Sequence, residues 1–213
     1  MHIKTQATLA ALLLAATATH AGPGALEINQ ACVAEGCFPG DDPGFPVTIT
    51  QPGSYLLTSD IRVSDPLGDG IRVESSDVTI DLGDRTLFGP RTCPGSLAEC
   101  PRDPGASIHG AGISKAGGDL SITIKNGSVR GFHGWAIAME RDARIYDVNV
   151  SDSYVGVGMM SGSIVERCTF VRNDLGIDAI GGMVRDSSFR ENRWAGIKTS
   201  PDAGGVIEGV DAF

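Results

Sequence analysis

The sequence predicts an all-β protein built as a right-handed parallel β-helix, a solenoid of coils of about 20 residues each. Two observations indicate this fold class. The chain repeats itself at a nearly constant period, and each repeat contains two short stretches of strand-like alternation with no helical run between them.

The repeat is clearest from Gly110 to Phe213. An apolar anchor recurs at spacings of 20, 19 and 23 residues, at Ile145, Val165, Val184 and Ile207. A pair of a small and a branched residue marks the second strand of each repeat: Ala136-Ile137, Gly156-Val157, Gly176-Ile177 and Gly196-Ile197, with earlier copies at Ile71 and Gly112-Ile113. Such a period is typical of stacked repeat architectures.

Within each repeat, Val, Ile, Thr and Phe alternate with polar residues, and Gly, Asn and Asp interrupt them, which is typical of strands. A leucine-rich repeat is the alternative, because residues 165–175 fit its consensus. The return segment Gly176 to Met183, however, is Gly-rich and extended, and the inward positions are β-branched or aromatic. The right-handed coil follows from the usual crossover of parallel strands.

Four segments are predicted along the chain. Residues 1–21 read as a secretory signal peptide, since their apolar core is too short to cross a bilayer. Residues 22–60 form an N-terminal cap with one strand from Val47 to Leu57, and residues 61–213 form the coils, interrupted by an excursion at about 89–107. The chain stops inside a coil, so an open end or a longer parent helix is expected.

The mature chain is acidic and exported by this interpretation, either secreted to the extracellular space or delivered to the periplasm. It holds 16 basic and 26 acidic residues, a net charge of −10. Such a charge disfavours nucleic acid as a partner, because nucleic-acid binding needs basic patches. No second apolar stretch is long enough to span a membrane.

Five cysteines separate into two close pairs and one single residue. In an oxidising compartment, Cys32 with Cys37 and Cys93 with Cys100 are expected to form local disulfides. A zinc site is the alternative, but the C-x-x-C spacing is missing, and no metal site is predicted. Cys168 falls on an inward strand position equivalent to Val148 and Ser187, where a buried free thiol is expected.

Calcium is the one ion the sequence suggests, and no cofactor is otherwise indicated. Glu35, Asp41 and Asp42 could gather it. The preference of Asp for turns beside Pro43 explains the same residues.

Stacked coils place equivalent residues in columns. Asp147, Arg167 and Asp186 are expected to form an outward charge ladder. Asn173 and Asn192 are expected to stack through their amides. His109 and His133 fall at equivalent turns, where a stacking role is favoured over a role as general base.

One family resemblance covers nearly the whole mature chain. The stretch "INQACVAEGCFPGDDPGFPVTITQPGSYLLTSDI", followed by "VTIDL" and "ITIKNGSVRGF", resembles the secreted bacterial right-handed β-helix proteins of the pectate-lyase-like superfamily. That resemblance implies lyases, glycosidases, epimerases or adhesins. The sequence departs from the family's catalytic motifs, and of the hydrolase set only His109-Gly110 is present.

The candidate site lies at the residue after the Ile of successive coils, where Asp178 and Lys198 are expected to point outward beside a notch left by Gly158 and Ala138. A lysine with a lowered pKa can remove the proton next to a uronate carboxylate if a cation neutralises that carboxylate. The candidate catalytic residues are Lys198, Asp178 and Arg190; the candidate substrate-binding residues are Arg172 and Trp194. A plain ion pair on a solvated face is the alternative interpretation.

The sequence therefore leads to two functional hypotheses. The first is a protein that binds an extracellular, acidic polysaccharide, with cleavage by β-elimination as an additional activity. The second is a non-catalytic surface, adhesion or scaffold module in which the β-helix serves only for display.

Overall fold

The computed structural model describes residues 24–95, 100, 110–118, 120–200 and 204–212. The predicted signal peptide, most of the excursion at 89–107 and His109 lie outside the described residues. The described part is all-β, with twenty strands and one short 3-10 helix, Cys32–Ala34. No helix among these residues has the length and apolar character that crossing a membrane requires.

The strands in chain order are β1 Leu26–Ile28, β2 Val47–Ile49, β3 Gly53–Leu57, β4 Ile61–Arg62, β5 Ile71–Val73, β6 Val78–Asp81, β7 Thr86–Phe88, β8 Ala111–Lys115, β9 Ile122–Arg130, β10 Trp135–Ala138, β11 Ala143–Ser151, β12 Val155–Met160, β13 Ile164–Glu166, β14 Thr169–Val171, β15 Leu175–Ile180, β16 Gly182–Arg185, β17 Ser188–Arg190, β18 Ala195–Thr199, β19 Gly205–Glu208 and β20 Asp211–Ala212.

All described strands pair in parallel, in one sheet of thirteen strands and one of seven, which wind into about seven coils. The order β2-β5-β8-β10-β12-β15-β18 of the seven-stranded sheet places each coil next to the following one. The predicted anchors pair directly, Ile145 with Val165, Val165 with Val184 and Val184 with Ile207. The predicted parallel β-helix is confirmed, and the leucine-rich alternative is wrong because both segments of each coil are strands.

The thirteen-stranded sheet bends once in each coil at a residue with left-handed backbone. Asn126, Asp147, Arg167 and Asp186 occupy this bend with φ between 50° and 56°. Asn and Asp tolerate that conformation better than other non-glycine residues, so Arg167 is the unusual member. Strands β9 and β11 run through the bend, whereas the next coils break there into β13 and β14 and into β16 and β17. The bend gives each coil a third outer face.

Inward side chains stack along the axis. The rings of Phe170 and Phe189 lie parallel with centroids 4.8 Å apart. Cys168 is buried in the predicted column with Val148 and Ser187, and burial raises the pKa of its thiol to about 11. A thiol in that state is predominantly protonated near neutral pH, which fits a packing role.

The expected strand from Val47 to Leu57 is instead two strands in different sheets. β2 pairs with β5 in the seven-stranded sheet, and β3 pairs with β6 in the other. The chain turns at Thr50–Pro52, where proline has no N–H to donate to a ladder. The segment assigned to the cap therefore already contributes strands to the first coil.

The predicted disulfides Cys32–Cys37 and Cys93–Cys100 both form. Near the first one, the two carboxylate oxygens of Asp41 accept the backbone N–H groups of Cys37 and Thr48, each at 2.8 Å. These bonds support the turn interpretation of Asp41. Within the described residues, Glu35, Asp41 and Asp42 do not converge as a group of metal ligands.

The predicted charge ladder is present, with one change of members. Arg167 donates to both oxygens of Asp147 at 2.9 Å and also pairs with Glu166. The next pair is Arg185 with Glu166 at 2.6 Å. The ladder thus crosses between two outward columns, whereas a single column ending at Asp186 was expected.

Candidate binding groove

A groove of about 280 Å³ lies on the outer side of the seven-stranded sheet. Strands β8, β10, β12 and β15 form its floor and its walls. Its lining includes Lys115, Trp135, Glu140, Met160, Asp178 and Ile180. The groove combines an aromatic ring and apolar side chains with three charged groups, which is the usual composition of a site for a small or chain-like ligand.

The floor of the groove exists because two neighbouring outward residues are small. Ala138, Gly158, Asp178 and Lys198 pair in succession along one outward column. A Cβ atom at Gly158 would collide with carbons of the six-membered ring of Trp135, so that ring lies directly over the Gly158 backbone. Glycine at 158 is therefore what allows the indole to lie against the sheet.

Apolar side chains continue the surface beside the indole. Met160 and Ile180 pair on β12 and β15, and Ile180 is 47% exposed. Outward positions of a solvated sheet are usually polar, so the exposed Ile180 beside the partly buried Met160 is an informative exception.

Charged groups rim the apolar floor. The carboxylate of Asp178 lies 3.4 Å from the ammonium of Lys198, whose side chain is 65% exposed. Lys115 donates to the backbone oxygen of Arg141 at 3.4 Å. The backbone oxygen of Glu140 accepts the N–H of Met160, which ties the edge of the groove to the neighbouring strand. The rim therefore offers two carboxylates as hydrogen-bond acceptors and the ammonium of Lys115 as a donor, while Lys198 lies outside the lining beside Asp178.

The structure brings Asp178 and Lys198 together and does not bring Arg172 to them. The guanidinium of Arg172 bonds to Asp152 at 2.7 Å, on the preceding coil, whereas Lys198 lies on the following coil. Arg190 ends β17 in the other sheet. Lys198 is thus paired with Asp178, whereas Arg172 is paired with Asp152 and Arg190 belongs to the other sheet.

Trp194 lies at the corner between the sheets and does not line the groove. Its ring meets that of Tyr154 edge-on, with centroids 5.2 Å apart, and its residue is 58% exposed. The two rings belong to coils on either side of the coil of Asp174. The backbone oxygen of Tyr154 accepts the N–H of Leu175, and the backbone oxygen of Asp174 accepts the N–H of Trp194. Trp194 is therefore an exposed aromatic separate from Trp135.

Beneath this corner lies a buried cluster of ion pairs that sequence reasoning did not find. Asp174 pairs with Arg91 at 2.9 Å and with Arg193 at 2.7 Å, and the side chains of Arg91 and Asp174 are each only 2% exposed. The carboxylate of Asp152 is shared by Arg130 and Arg172. Arg91 follows β7 and reaches 83 residues along the sequence to Asp174, so these pairs attach the start of the excursion to the coils.

One group of three potential metal ligands occurs among the described residues, namely Cys93, Cys100 and Asp152. The two sulfurs are bonded to each other, and both oxygens of Asp152 are occupied by guanidinium groups. Free thiolates and an available carboxylate are needed to hold a metal. This donor set therefore does not fit a metal ion.

Sequence reasoning identified the notch beside Asp178 but not the residues that make it a groove. Trp135, Lys115, Glu140, Met160 and Ile180 are spread over four coils, and they converge only once the register of the strands is known. The pairing of Trp135 with Val155 places Trp135 three positions before Ala138 on the same strand, and its ring reaches the backbone of Gly158 on the next coil. The column of Ala138, Gly158 and Asp178 does not contain Trp135, so the alignment of the coils alone does not identify the indole as part of the groove.

Comparisons with known proteins add no relative: no protein-family model matches the chain, and neither the curated proteins nor the solved structures include a match.

Proposed function

We propose that this protein is exported and binds an extracellular polysaccharide in the groove, with a sugar ring resting on Trp135. The observation that supports this most is the position of the indole over Gly158, at the base of an open groove with carboxylates on its rim.

The chemistry of the groove suits a sugar. A pyranose has a face of C–H groups and an edge of hydroxyls. The partly exposed ring of Trp135 favours contact with the apolar face, and Asp178 and Glu140 provide acceptors for the hydroxyls. A purely apolar ligand would displace water from these carboxylates without offering them hydrogen bonds, which is unfavourable.

The shape of the groove suits a polymer. It crosses the paired strands β8, β10, β12 and β15, so it runs along the solenoid axis. Three strand spacings of about 4.8 Å each give a length of about 14 Å. A chain-like ligand lying along the axis would continue past both ends of such an open groove.

Export is part of the proposal. The N-terminal sequence has the pattern of a secretory signal peptide, and the two local disulfides are compatible with an oxidising compartment.

Cleavage by β-elimination stays a separate hypothesis within this proposal. Lys198 is the candidate base and Asp178 its neighbour, but Arg172 is engaged by Asp152 and Arg190 ends a strand of the other sheet. Binding needs only the groove, so it is the activity that the geometry supports best. The display-scaffold alternative draws support from the solvated ladder of Asp147, Arg167, Glu166 and Arg185.

Affinity electrophoresis of the oxidised protein through gels containing pectate, alginate, glycosaminoglycans, xylan or glucans tests binding. We expect at least one polymer to retard the protein through the groove, so that Trp135→Ala abolishes the retardation in that gel. Trp194→Ala is the matched control, since it removes the other tryptophan outside the groove and should leave retardation unchanged. No retardation in any gel, from a protein shown by circular dichroism to be folded, would favour the scaffold alternative.

Ultraviolet absorbance of unsaturated uronate ends tests cleavage with the uronate polymers, with and without calcium. New absorbance that is lost in Lys198→Ala would establish a lyase and identify its base. Retardation in the gels without new absorbance would establish binding alone.

A further inference from the structure

A second outer face of the solenoid carries a column of exposed arginines. This face, here called the arginine face, is formed by β4, β7, the C-terminal halves of β9 and β11, and β14 and β17. The pairing aligns its outermost column in the order Arg62, Phe88, Arg130, Ser151, Val171 and Arg190. The alternate residues, such as Leu87 and Val129, are fully buried, so this column points outward.

The arginines are spaced along the axis by whole strand steps. Two steps separate Arg62 from Arg130 and three separate Arg130 from Arg190, which at about 4.8 Å per step gives about 10 and 14 Å. All three residues are exposed. A linear ligand along the axis would therefore meet a guanidinium at intervals over about 24 Å.

Local contacts hold two of these guanidinium groups in place. That of Arg62 lies 4.1 Å from the centroid of the Phe88 ring, and that of Arg130 lies 5.9 Å from it. Arg130 also bonds to Asp152 at 2.7 Å. Because Arg172 shares the same carboxylate, the two arginines bring more positive charge than Asp152 neutralises.

A column of hydroxyl and amide groups runs beside the arginines, two residues earlier in each strand: Thr86, Ser128, Asn149, Thr169 and Ser188. The hydroxyl and amide column has carboxylates at its two ends, where Asp60 lies next to Thr86 and Asp211 lies next to Ser188. Between these ends, the hydroxyl and amide column is neutral and can form hydrogen bonds, whereas the neighbouring column carries the arginines. This cationic column occurs in a chain whose mature net charge is −10.

We infer that the arginine face binds a linear acidic polysaccharide. Guanidinium groups pair with carboxylates or sulfates in a two-pronged geometry, and the hydroxyl and amide column bonds to the sugar hydroxyls between the charges. This inference goes beyond the groove and does not depend on it, because no residue of the arginine face lines the groove.

Nucleic acid fits this face less well. Single strands bind proteins through base stacking as well as through phosphate contacts. Phe88 is the one aromatic residue in these two columns, and Arg62 already covers its ring.

The test measures binding of fluorescently labelled heparin, polygalacturonate, neutral dextran and a single-stranded DNA oligonucleotide by anisotropy, from low to high salt. We expect heparin or polygalacturonate to bind at low salt, to dissociate as salt screens the charges, and to lose at least tenfold in affinity in the double variant Arg62→Gln with Arg190→Gln. Dextran should not respond to these substitutions.

Two controls separate this site from general attraction and from the groove. The double variant Arg144→Gln with Arg141→Gln removes the same charge from exposed arginines elsewhere and should leave affinity within twofold, as should Trp135→Ala. Equal losses in both double variants, tighter binding of the oligonucleotide, or no binding of either acidic polysaccharide by the folded protein would overturn the inference.

Discussion

The side-chain oxygen of Asn192 accepts the backbone N–H of Asn173 at 3.0 Å, across one coil spacing. The side-chain oxygen of Asn173 accepts the N–H of Ser153 in the same way at 3.1 Å. Each amide also donates to a carbonyl of the preceding coil, Asn173 to Val150 and Asn192 to Phe170. The predicted amide stack is thus confirmed as a ladder that satisfies backbone groups at a corner where strand pairing stops.

Replacing Asn173 with alanine should lower the free energy of unfolding by about 2–3 kcal/mol, because the substitution leaves buried backbone groups without partners. Denaturant unfolding followed by circular dichroism measures the change. Asn149→Ala is the control, since Asn149 is exposed and its loss should change stability by less than about 0.5 kcal/mol. Equal effects of the two substitutions would contradict a structural role for the ladder.

Replacing Asp174 with alanine should be among the most destabilising single changes. It leaves Arg91 and Arg193 beside a missing carboxylate in a buried site, and breaking a buried pair costs about 3–5 kcal/mol. Asp178→Ala removes the same side chain from the exposed pair with Lys198, where a change of about 1 kcal/mol or less is expected. Chemical denaturation of both variants gives the comparison, and a similar loss in each would refute the buried role of Asp174.

Replacing Gly158 with alanine should weaken polysaccharide binding without unfolding the protein. The new methyl group would occupy the space of the Trp135 ring, so the indole must leave the floor of the groove, and we expect affinity to fall at least tenfold. Gly204→Ala is the control because no atom lies within 4 Å of the added carbon. Isothermal titration calorimetry measures the affinity, and unchanged binding by a folded Gly158→Ala protein would show that the indole does not contribute.

The charge ladder should stabilise the fold in a pH-dependent way. Hydrogen bonds from Arg167 hold the pKa of Asp147 below its ordinary value, and a hydrogen bond from Arg185 does the same for the pKa of Glu166. A carboxyl with a lower pKa in the folded chain stabilises that chain above its unfolded pKa of about 4 and loses the effect as pH falls through the folded pKa. The ladder therefore contributes at neutral pH and not in acid.

Melting temperatures of the wild type and Arg167→Gln at pH 7 and pH 3 test this. The difference in melting temperature should be larger at pH 7 than at pH 3. It should also shrink at pH 7 in 1 M salt, where the Debye length is only about 3 Å and the charges are strongly screened. Residue 167 has a left-handed backbone, and any effect of the substitution on this backbone changes the melting temperature by the same amount at both pH values. A difference that grows on acidification would contradict the assignment.

The fold could be predicted because one apolar residue at the same position of each coil reveals the period of the repeat. Ile145, Val165, Val184 and Ile207 must all face the same narrow core, so the sequence shows the register directly. The same logic predicted the Asn173 ladder and the Asp178–Lys198 pair. Because the coils stack along one axis, residues one period apart occupy the same structural position, and their similar side chains can be recognised in the sequence.

The candidate site was less accessible because its residues are not equivalent positions. Trp135 leans diagonally over Gly158, and Arg91 joins Asp174 from a segment outside the repeat. Contacts of this kind depend on the direction of a side chain or the path of a loop, which a column does not encode. The placement of the candidate residue Arg172 was inaccessible for the same reason, because the alignment does not show that its side chain turns back to Asp152.

Tryptophan fluorescence tests the central claim most directly. The chain contains two tryptophans, so the Trp194→Phe variant reports Trp135 alone. Titration of this variant with a polysaccharide that also retards the Arg62→Gln, Arg190→Gln double variant, and so does not depend on the arginine face, should shift the Trp135 emission in a saturable way and protect it from quenching by acrylamide. If such a polysaccharide binds with the same affinity yet leaves the emission and the quenching of Trp135 unchanged, the assignment of the groove is contradicted.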